Sequence, residues 1–562
     1  MKKLIYTLPL LLALGACSSE EVTSPDLPTT PVTSGGYYLS FTVETTASNA
    51  STRNTTQSSG DSDEEVTAAE NENKLETAKI YFLDSDNKVL IDPIEVSTSN
   101  YVETGNSTTP DTGVDETLQI TVDGTDKTKH KLVYKIQDMT ELAKFVPLCT
   151  KDAVYVVIVG NEGASYSKLT NPLSSTSGSD DAKAAYFTAS TTDVIQNFGD
   201  LAAGKIMPLV SYDSKKVTTF ASASNVYELV DLFTGTYTPT SGKELQIKGS
   251  DTNSGSDVET TIVTLERAVA RIDFTYRDES ARESELGATL KGNKYLYKLG
   301  TSNALINICK IEVFNVAQTS NLFRQTRNGD ATNAYADGSS VTLFGKEKGS
   351  DAEKYNWVTS YDWPSNGAFT SRNLLNPYSA TETTIEYLYK DPSTFAAAAY
   401  QNGYYPWIYV PENTIPSTTL MSETNLQSYA TGIKFKFMVM EIDGTTPAKA
   451  TSSATNLPAG VTIVGTDNKQ LRIMMEDGHY QIFDFDTTDG NCYMTYIGFL
   501  KHHNPDDSGL SPMEYGVVRN NVYQCKVTGV SNLLTPEDPY SLYLTLEVQV
   551  KKWQKRTNDF QF

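Results

Sequence analysis

Alternation of apolar and polar residues is the dominant pattern along the chain, and it is cleanest near the C-terminus. In Ser541–Val550 the aliphatic residues Leu542, Leu544, Leu546, Val548 and Val550 take every second position, with Tyr543, Thr545, Glu547 and Gln549 between them. Successive strand side chains point to opposite faces, so the pattern predicts a strand with one apolar and one polar face. No partner strand is expected after it, and Trp553 trails the run. A second row, Leu39, Phe41 and Val43 in Tyr38–Val43, stands near the N-terminus.

Between these rows lie many shorter strand patterns. Ala78–Leu83, followed by Asp84–Asn87, reads as a hairpin turning into Lys88–Ile91. Ala153–Val159 is apolar on both faces, as a central strand requires. Thr261–Tyr276 predicts a long strand, and the charged stretch Arg277–Glu285 after it marks a domain boundary. Ala304–Val316, Trp407–Val410, Gly432–Ile442, His479–Phe485, Cys492–Phe499 and Val517–Val530 continue in the same style. Helical periodicity is scarce, with short helices expected only around Gln137–Phe145 and Thr394–Gln401. Val, Ile, Thr, Tyr and Phe runs between Gly, Asn, Asp and Ser clusters favour β structure, and 562 residues exceed one ordinary domain. The expected fold is therefore mostly all-β, two β-sandwich domains with a few short helices. No internal repeat points to a solenoid.

The N-terminus carries an address. Lys2 and Lys3 precede an apolar run, Leu4–Ala13, that closes on Leu14-Gly15-Ala16-Cys17 and turns polar at Ser18. The run falls short of the about 20 residues of a bilayer helix, so it reads as a secretory signal, residues 1–17, ending in a lipobox. Cys17 is the expected lipidation site and membrane attachment. Cys149, Cys309, Cys492 and Cys525 have no metal-ligand or redox spacing and read as isolated buried thiols, with a Cys492–Cys525 bridge left open. With 46 basic and 69 acidic residues the net charge is −23, which argues against nucleic acid and anionic lipid surfaces as partners.

One basic residue changes the reading. Between Lys3 and Lys74 the only Lys or Arg is Arg53, set in the polar stretch Ala47–Asn73. An extended, accessible segment with a lone arginine suits a trypsin-like protease, which would cut between Arg53 and Asn54. The cut would release the Ser19–Gly36 tether and the first strand, Leu39, Phe41 and Val43 included, as one fragment. The vacated groove would need a replacement. A neighbour's C-terminal strand can supply it by β-augmentation, its five aliphatic side chains offering a gross gain of roughly 8–15 kcal/mol. Donor and acceptor lie at different places on the subunit, so such a contact propagates into a filament.

Other chemistry is sparse. His502 and His503 share a loop with Asp506 and Asp507, but His130 and His479 add no metalloenzyme spacing. Asp484, Asp486 and Asp489 echo a calcium loop without the EF-hand ligand series, and a strand ending in a turn accounts for them better. No nucleophile elbow, phosphate loop or dinucleotide fingerprint occurs. Neither a cofactor, a metal nor an enzymatic activity is expected, and a carbohydrate-active enzyme ranks last because nothing selects a carboxylate pair among 69 acids. The 33 tyrosines suit sugar or protein recognition, though sheet filling is the commoner use.

Three segments carry a resemblance. Thr264-Leu-Glu-Arg-Ala-Val-Ala-Arg271, Val517-Val-Arg-Asn-Asn-Val-Tyr523 and Leu546-Glu-Val-Gln-Val-Lys-Lys-Trp553 resemble late strands of the two domains of Mfa-type major fimbrial subunits, in the Bacteroidales FimA-like superfamily of type V pilins. The match is looser over Ala281–Pro512, and the Val530–Tyr540 linker is shorter and less proline-rich than in that family. The resemblance implies two transthyretin-like β-sandwich domains and export through the periplasm as an outer-membrane lipoprotein. It further implies cleavage at Arg53 by an arginine-specific protease and polymerisation by strand exchange into a cell-surface fimbrium that supports adhesion. Residues 18–53 would be the propeptide, 54–278 the N-terminal domain, and 279–562 the C-terminal domain ending in a donor strand at 541–553. Other copies of the chain, accessory anchor and tip subunits and host or bacterial surface ligands are the partners implied. The alternative is a tip adhesin or a permanently lipid-anchored surface binding protein.

Overall fold

The computed structural model describes residues 37–45, 65–67, 72–97, 118–122, 129–136, 138–149, 151–162, 168–169, 181–188, 207–217, 236–237, 242–246, 262–300, 302–328, 341–344, 356–359, 373–379, 385, 388–395, 397, 403–415, 423–475, 478–502, 515–530 and 544–554. They form an all-β fold in several sheets with a few short helices.

The N-terminal sheet has eleven strands. Val154–Gly160 lies inside it, hydrogen-bonded to Thr77–Leu83 on one edge and to Leu209–Ser211 and Lys215–Val217 on the other. All its residues but Tyr155 are buried, which is why its sequence is apolar on both faces. The turn after Thr77–Leu83 follows from its residue types. Asp84 Oδ1 accepts the amides of Asp86 and Lys88 at 2.8 and 2.9 Å, and Asn87 takes the left-handed backbone at φ 63° that Asn tolerates. The return run touches the strand only around Val89 and Leu90, and regular pairing resumes with Ile94–Ser97. The predicted helix forms over Met139–Ala143. Asp138 Oδ1 accepts the Glu141 amide at 2.8 Å, a capping bond that satisfies one first-turn donor. Leu142, Phe145 and Leu148 then close one side of the N-terminal core.

The chain passes from this sheet to the next within one extended run. Ile262–Arg267 belongs to the eleven-stranded sheet, and after Ala268 the continuation Val269–Tyr276 joins a five-stranded sheet. That sheet runs in the order Glu65–Thr67, Leu544–Gln554, Asn521–Val530, Val269–Tyr276, Tyr405–Pro411. A second five-stranded sheet, centred on Leu305–Phe314 and Gly432–Met440, faces it. Ile272, Phe274 and Tyr523 from one sheet share a core with Ile306, Phe435, Phe437 and Tyr496 from the other, the arrangement of a sandwich. The second half also covers the first: Leu322, Phe323 and Leu343 pack with Tyr81, Val157 and Val159 on the outer face of the N-terminal sheet.

The remaining candidate chemistry has structural uses. Asp486 Oδ1 accepts the Thr488 amide, and Asp489 accepts the Asn491 amide and the Tyr493 hydroxyl, so both carboxylates build the turn. His502 is buried with Nδ1 2.8 Å from the Tyr523 hydroxyl, while His503 lies outside the described residues. Cys149, Cys309, Cys492 and Cys525 are free thiols. Among the described residues no group of three or more His, Cys, Asp or Glu is placed to hold a metal ion.

Close approach fixes one glycine. A Cβ at Gly432 would overlap the Phe314 ring and lie 2.8 Å from the Gly498 carbonyl oxygen, between two strands that cannot separate without breaking their ladders. Gly432→Ala is expected to lower stability by about 1–3 kcal/mol, the usual cost of overpacking, measured by denaturant unfolding.

Candidate functional site

The candidate elements singled out by sequence are strands, and the first of them is not at an edge. The leader strand, Tyr37–Thr45, pairs along its whole length with antiparallel Lys129–Ile136. Its other edge pairs in parallel, first with Gly242–Gln246 over Tyr37–Ser40, then with Ile262–Arg267 over Thr42–Thr45. Leu39 and Val43 are fully buried in the N-terminal core with Leu132, Ile136 and Val263. Phe41 is in register with Leu132, and its side chain lies outside the described residues. The strand therefore has both backbone edges satisfied and supplies two core side chains, yet lies upstream of Arg53. Arg53, Asn54 and Cys17 are themselves outside the described residues.

The terminal strand, Leu544–Gln554, lies in its own chain's sheet. It pairs antiparallel with Asn521–Val530, Leu544 opposite Val530, Leu546 opposite Val527, Val548 opposite Cys525 and Val550 opposite Tyr523. A register shift interrupts the ladder between Val527 and Gly529. Glu65–Thr67 pairs in parallel with its far end, Val66 opposite Trp553, and so clasps it. Leu542 lies outside the described residues. A partner strand thus exists, formed by sequence preceding the terminal strand rather than following it.

Just after the clasp, the chain enters a buried charge network that alternation alone did not reveal. Arg271 Nη1 reaches both oxygens of Glu72, at 2.8 and 3.1 Å, while its Nε and Nη2 grip Asp273 at 2.7 and 2.9 Å. The Tyr409 hydroxyl donates to Glu72 at 2.7 Å. Arg267 binds the Glu72 carbonyl through Nε, Asn73 Oδ1 through Nη2 and Asn520 Oδ1 through Nη1. Beside it, Arg519 pairs with Glu412 and donates to the Leu322 and Asn321 carbonyls, and Arg324 pairs with Glu266. Burial alone would raise the Glu72 carboxyl, but Arg271 and Arg267 outweigh it and hold the group below the usual carboxylate range. For Glu266 burial prevails over Arg324 and Arg519 and pushes the carboxyl up to about 7.

This network joins two of the segments singled out by sequence. Arg267 and Arg271 come from Thr264–Arg271, and Arg519 and Asn520 from Val517–Tyr523. The Asn520 amide also donates to the Val269 carbonyl at 2.7 Å. Two arginines together with Glu266 and Asp273 in one predicted strand were the available signal, since a buried cation needs a matched anion.

Residues 487–559 match the family model for the major fimbrial subunit protein type IV, fimbrillin, C-terminal. Over these residues the chain is similar to the C-terminal region of fimbrillins. That region contains the terminal strand and its partner Asn521–Val530. Among solved structures, a fimbrilin from Porphyromonas gingivalis W83 is 14% identical with a TM-score of 0.37, covering 92% of this chain and 98% of that one. A fimbrial assembly protein from Parabacteroides distasonis is 8% identical with a TM-score of 0.28, covering 92% and 99%. The tip fimbrial protein Mfa3 from Porphyromonas gingivalis, with C-terminal truncation, is 9% identical with a TM-score of 0.26, covering 92% and 99%. No curated protein matches the sequence.

Two outcomes test the charge network. Glu72→Ala removes one of the two carboxylates that pair with Arg271 and the negative charge beside Arg267, and is expected to cost about 3–5 kcal/mol in denaturant unfolding. Glu266 binds its proton more tightly folded than unfolded, so its stabilising contribution is complete below the usual carboxylate range and is lost as pH rises through about 7. In Glu266→Gln this fall in stability with rising pH should disappear from unfolding curves collected between pH 4 and 8.

Proposed function

We propose that the chain is the structural subunit of a cell-surface fimbrium, exported as a precursor lipidated on Cys17 and cut between Arg53 and Asn54. Loss of residues 18–53 takes the leader strand with it, and the terminal strand of a neighbouring copy fills the vacancy. The reading is carried by one observation: a strand that lies upstream of the lone arginine holds two ladders and buries Leu39 and Val43. Its loss would open the Lys129–Ile136 edge and the facing edge at once and forfeit roughly 3–6 kcal/mol of aliphatic burial. Such a groove demands a strand of alternating character, and Leu542, Leu544, Leu546, Val548 and Val550 provide that pattern, with Trp553 trailing it. The fimbrillin match over residues 487–559 supports the same class.

In this reading the partners are other copies of the chain, anchor and tip subunits, an arginine-specific protease and, before cleavage, the outer membrane. The Glu72 network lies downstream of Asn54 and stays with the mature subunit. The terminal strand must leave Asn521–Val530 and the clasp before it can be donated, so assembly should be slow unless the groove it enters is already open.

The test is to treat purified precursor with an arginine-specific protease, sequence the new N-terminus and view the product by negative-stain microscopy. A terminus at Asn54 with SDS-resistant ladders or fibres is expected. Arg53→Ala should remain full-length and unpolymerised, and a chain truncated before Leu542 should be cleaved yet stay monomeric. Normal filaments from either variant would remove the corresponding role, and a stable wild-type monomer after cleavage would favour a tip or lipid-anchored adhesin.

A further inference from the structure

Where the five-stranded sheet ends and the following helix begins, a cavity of about 340 Å³ opens between Thr275–Arg277, Asp278, Glu279 and Arg282 of the helix entry, Lys294, Gly403–Tyr405 and Lys526. It lies at the low end of the volume range of small-ligand pockets. On a chain of net charge −23 it gathers four cationic side chains, Arg277, Arg282, Lys294 and Lys526, against the two carboxylates of Asp278 and Glu279.

Aromatic rings form one wall. Lys294 Nζ lies 5.3, 5.4 and 5.2 Å from the ring centres of Tyr276, Tyr295 and Tyr405, and donates to the Tyr405 hydroxyl at 3.1 Å. An ammonium among three rings is held by cation–π attraction, and one hydrogen bond leaves it further donors. Burial by itself would lower the Lys294 pKa, but the tyrosine partners raise it, so the group stays cationic. Tyr276 is fixed edge-on to Tyr295 at 4.9 Å, and its hydroxyl donates to the Pro392 carbonyl, so this wall is rigid.

The opposite wall is polar and only partly satisfied. Asp278 caps the Glu279–Leu286 helix by position but makes no side-chain capping bond, its carboxylate turning instead to Lys526 at 3.0 Å. Arg282 is pinned by Nε to the Lys291 carbonyl and by Nη1 to the Arg277 carbonyl, and Nη2 takes no part in these bonds. Arg277 is buried, ion-paired to Glu285 and stacked 4.3 Å over Tyr297, and its Nε has no hydrogen-bond partner.

We propose that this pocket binds a pyranose bearing a carboxylate, a uronate or sialate unit of a glycan. A tyrosine face suits the apolar C–H face of a sugar ring, and the cations beside it suit a carboxylate, which charge-assisted hydrogen bonds hold about twice as strongly as a neutral group. Four cations against the carboxylates of Asp278, Glu279 and Glu285 leave an excess of positive charge that a neutral sugar would not meet, and a small free anion would make no use of the tyrosine wall. None of its lining residues belongs to the leader strand or to the strands paired with it, so it would serve adhesion rather than assembly.

The test is a calorimetric titration of the purified full-length chain with sodium glucuronate, N-acetylneuraminic acid, glucose, acetate and inorganic phosphate. Saturable one-to-one binding of at least one of the two acidic sugars is expected, with glucose, acetate and phosphate at least about tenfold weaker. Lys294→Gln should weaken that binding about tenfold or more, with an unchanged thermal unfolding midpoint as the control for folding. Tyr404→Ala, on the rim, should weaken the acidic sugar and leave any acetate binding unchanged. The proposal is overturned if glucose binds as well as the acidic sugars, if acetate or phosphate equals them, if neither acidic sugar binds at tens of millimolar, or if Lys294→Gln binds as the parent does.

Discussion

A charge taken out of water must be matched where it is buried, and the fold is organised around one such match. Glu72, on the segment between the clasp and the strand Thr77–Leu83 of the N-terminal sheet, sits against Arg271 and Arg267, and these arginines flank the point at which one extended run passes from the N-terminal sheet to the C-terminal sandwich. The two sheets and the N-terminal segment therefore meet at a site whose cost of separation is the exposure of an uncompensated ion. Asn520 and Arg519 draw in the turn before Asn521–Val530, the strand on which the terminal strand lies. The partner of the terminal strand is thus held at its root by the same network.

That arrangement separates what can leave from what must remain. The leader strand is bound by backbone ladders and by aliphatic burial through Leu39 and Val43. Another strand of alternating character satisfies the same backbone groups and refills the same core, so those interactions are interchangeable. The Glu72 network is not interchangeable, because its geometry depends on particular side chains at 2.7–3.2 Å. With the specific contacts downstream of Asn54 and the generic ones upstream, the proposed cut at Arg53 would open the N-terminal sheet without loosening the junction.

These two kinds of interaction also differ in how they show in sequence. Alternation reports backbone pairing with one face buried, so the rows through Leu39 and Val43 and through Leu544 to Val550 appear directly, as does the doubly apolar Val154–Gly160. Local turn chemistry is equally legible, as at Asp84–Asn87 and at the Asp138 cap. Alternation does not name a partner. The terminal strand looked unpaired because its neighbours, Asn521–Val530 and Glu65–Thr67, are set by topology, one of them nearly the full chain length away. Glu72 was hidden for the same reason, since it lies in a polar stretch that reads as exposed while its partners lie 195 and 199 residues on.

Docking the terminal strand at home sets the thermodynamics of any exchange. A strand moved from one sheet edge to an equivalent one gains little, because backbone bonds broken at Asn521–Val530 are remade elsewhere. The net drive must come from the acceptor, where an emptied groove exposes two backbone edges and an apolar core to water. While the leader strand is present, that groove is full and transfer has no recipient. After it leaves, one incoming strand satisfies two edges in place of the Asn521–Val530 edge and the three-residue clasp it gave up. In the proposed assembly the surplus would come from the second long edge together with the reburied core, so a chain holding both strands would stay monomeric and removal of the first would favour association.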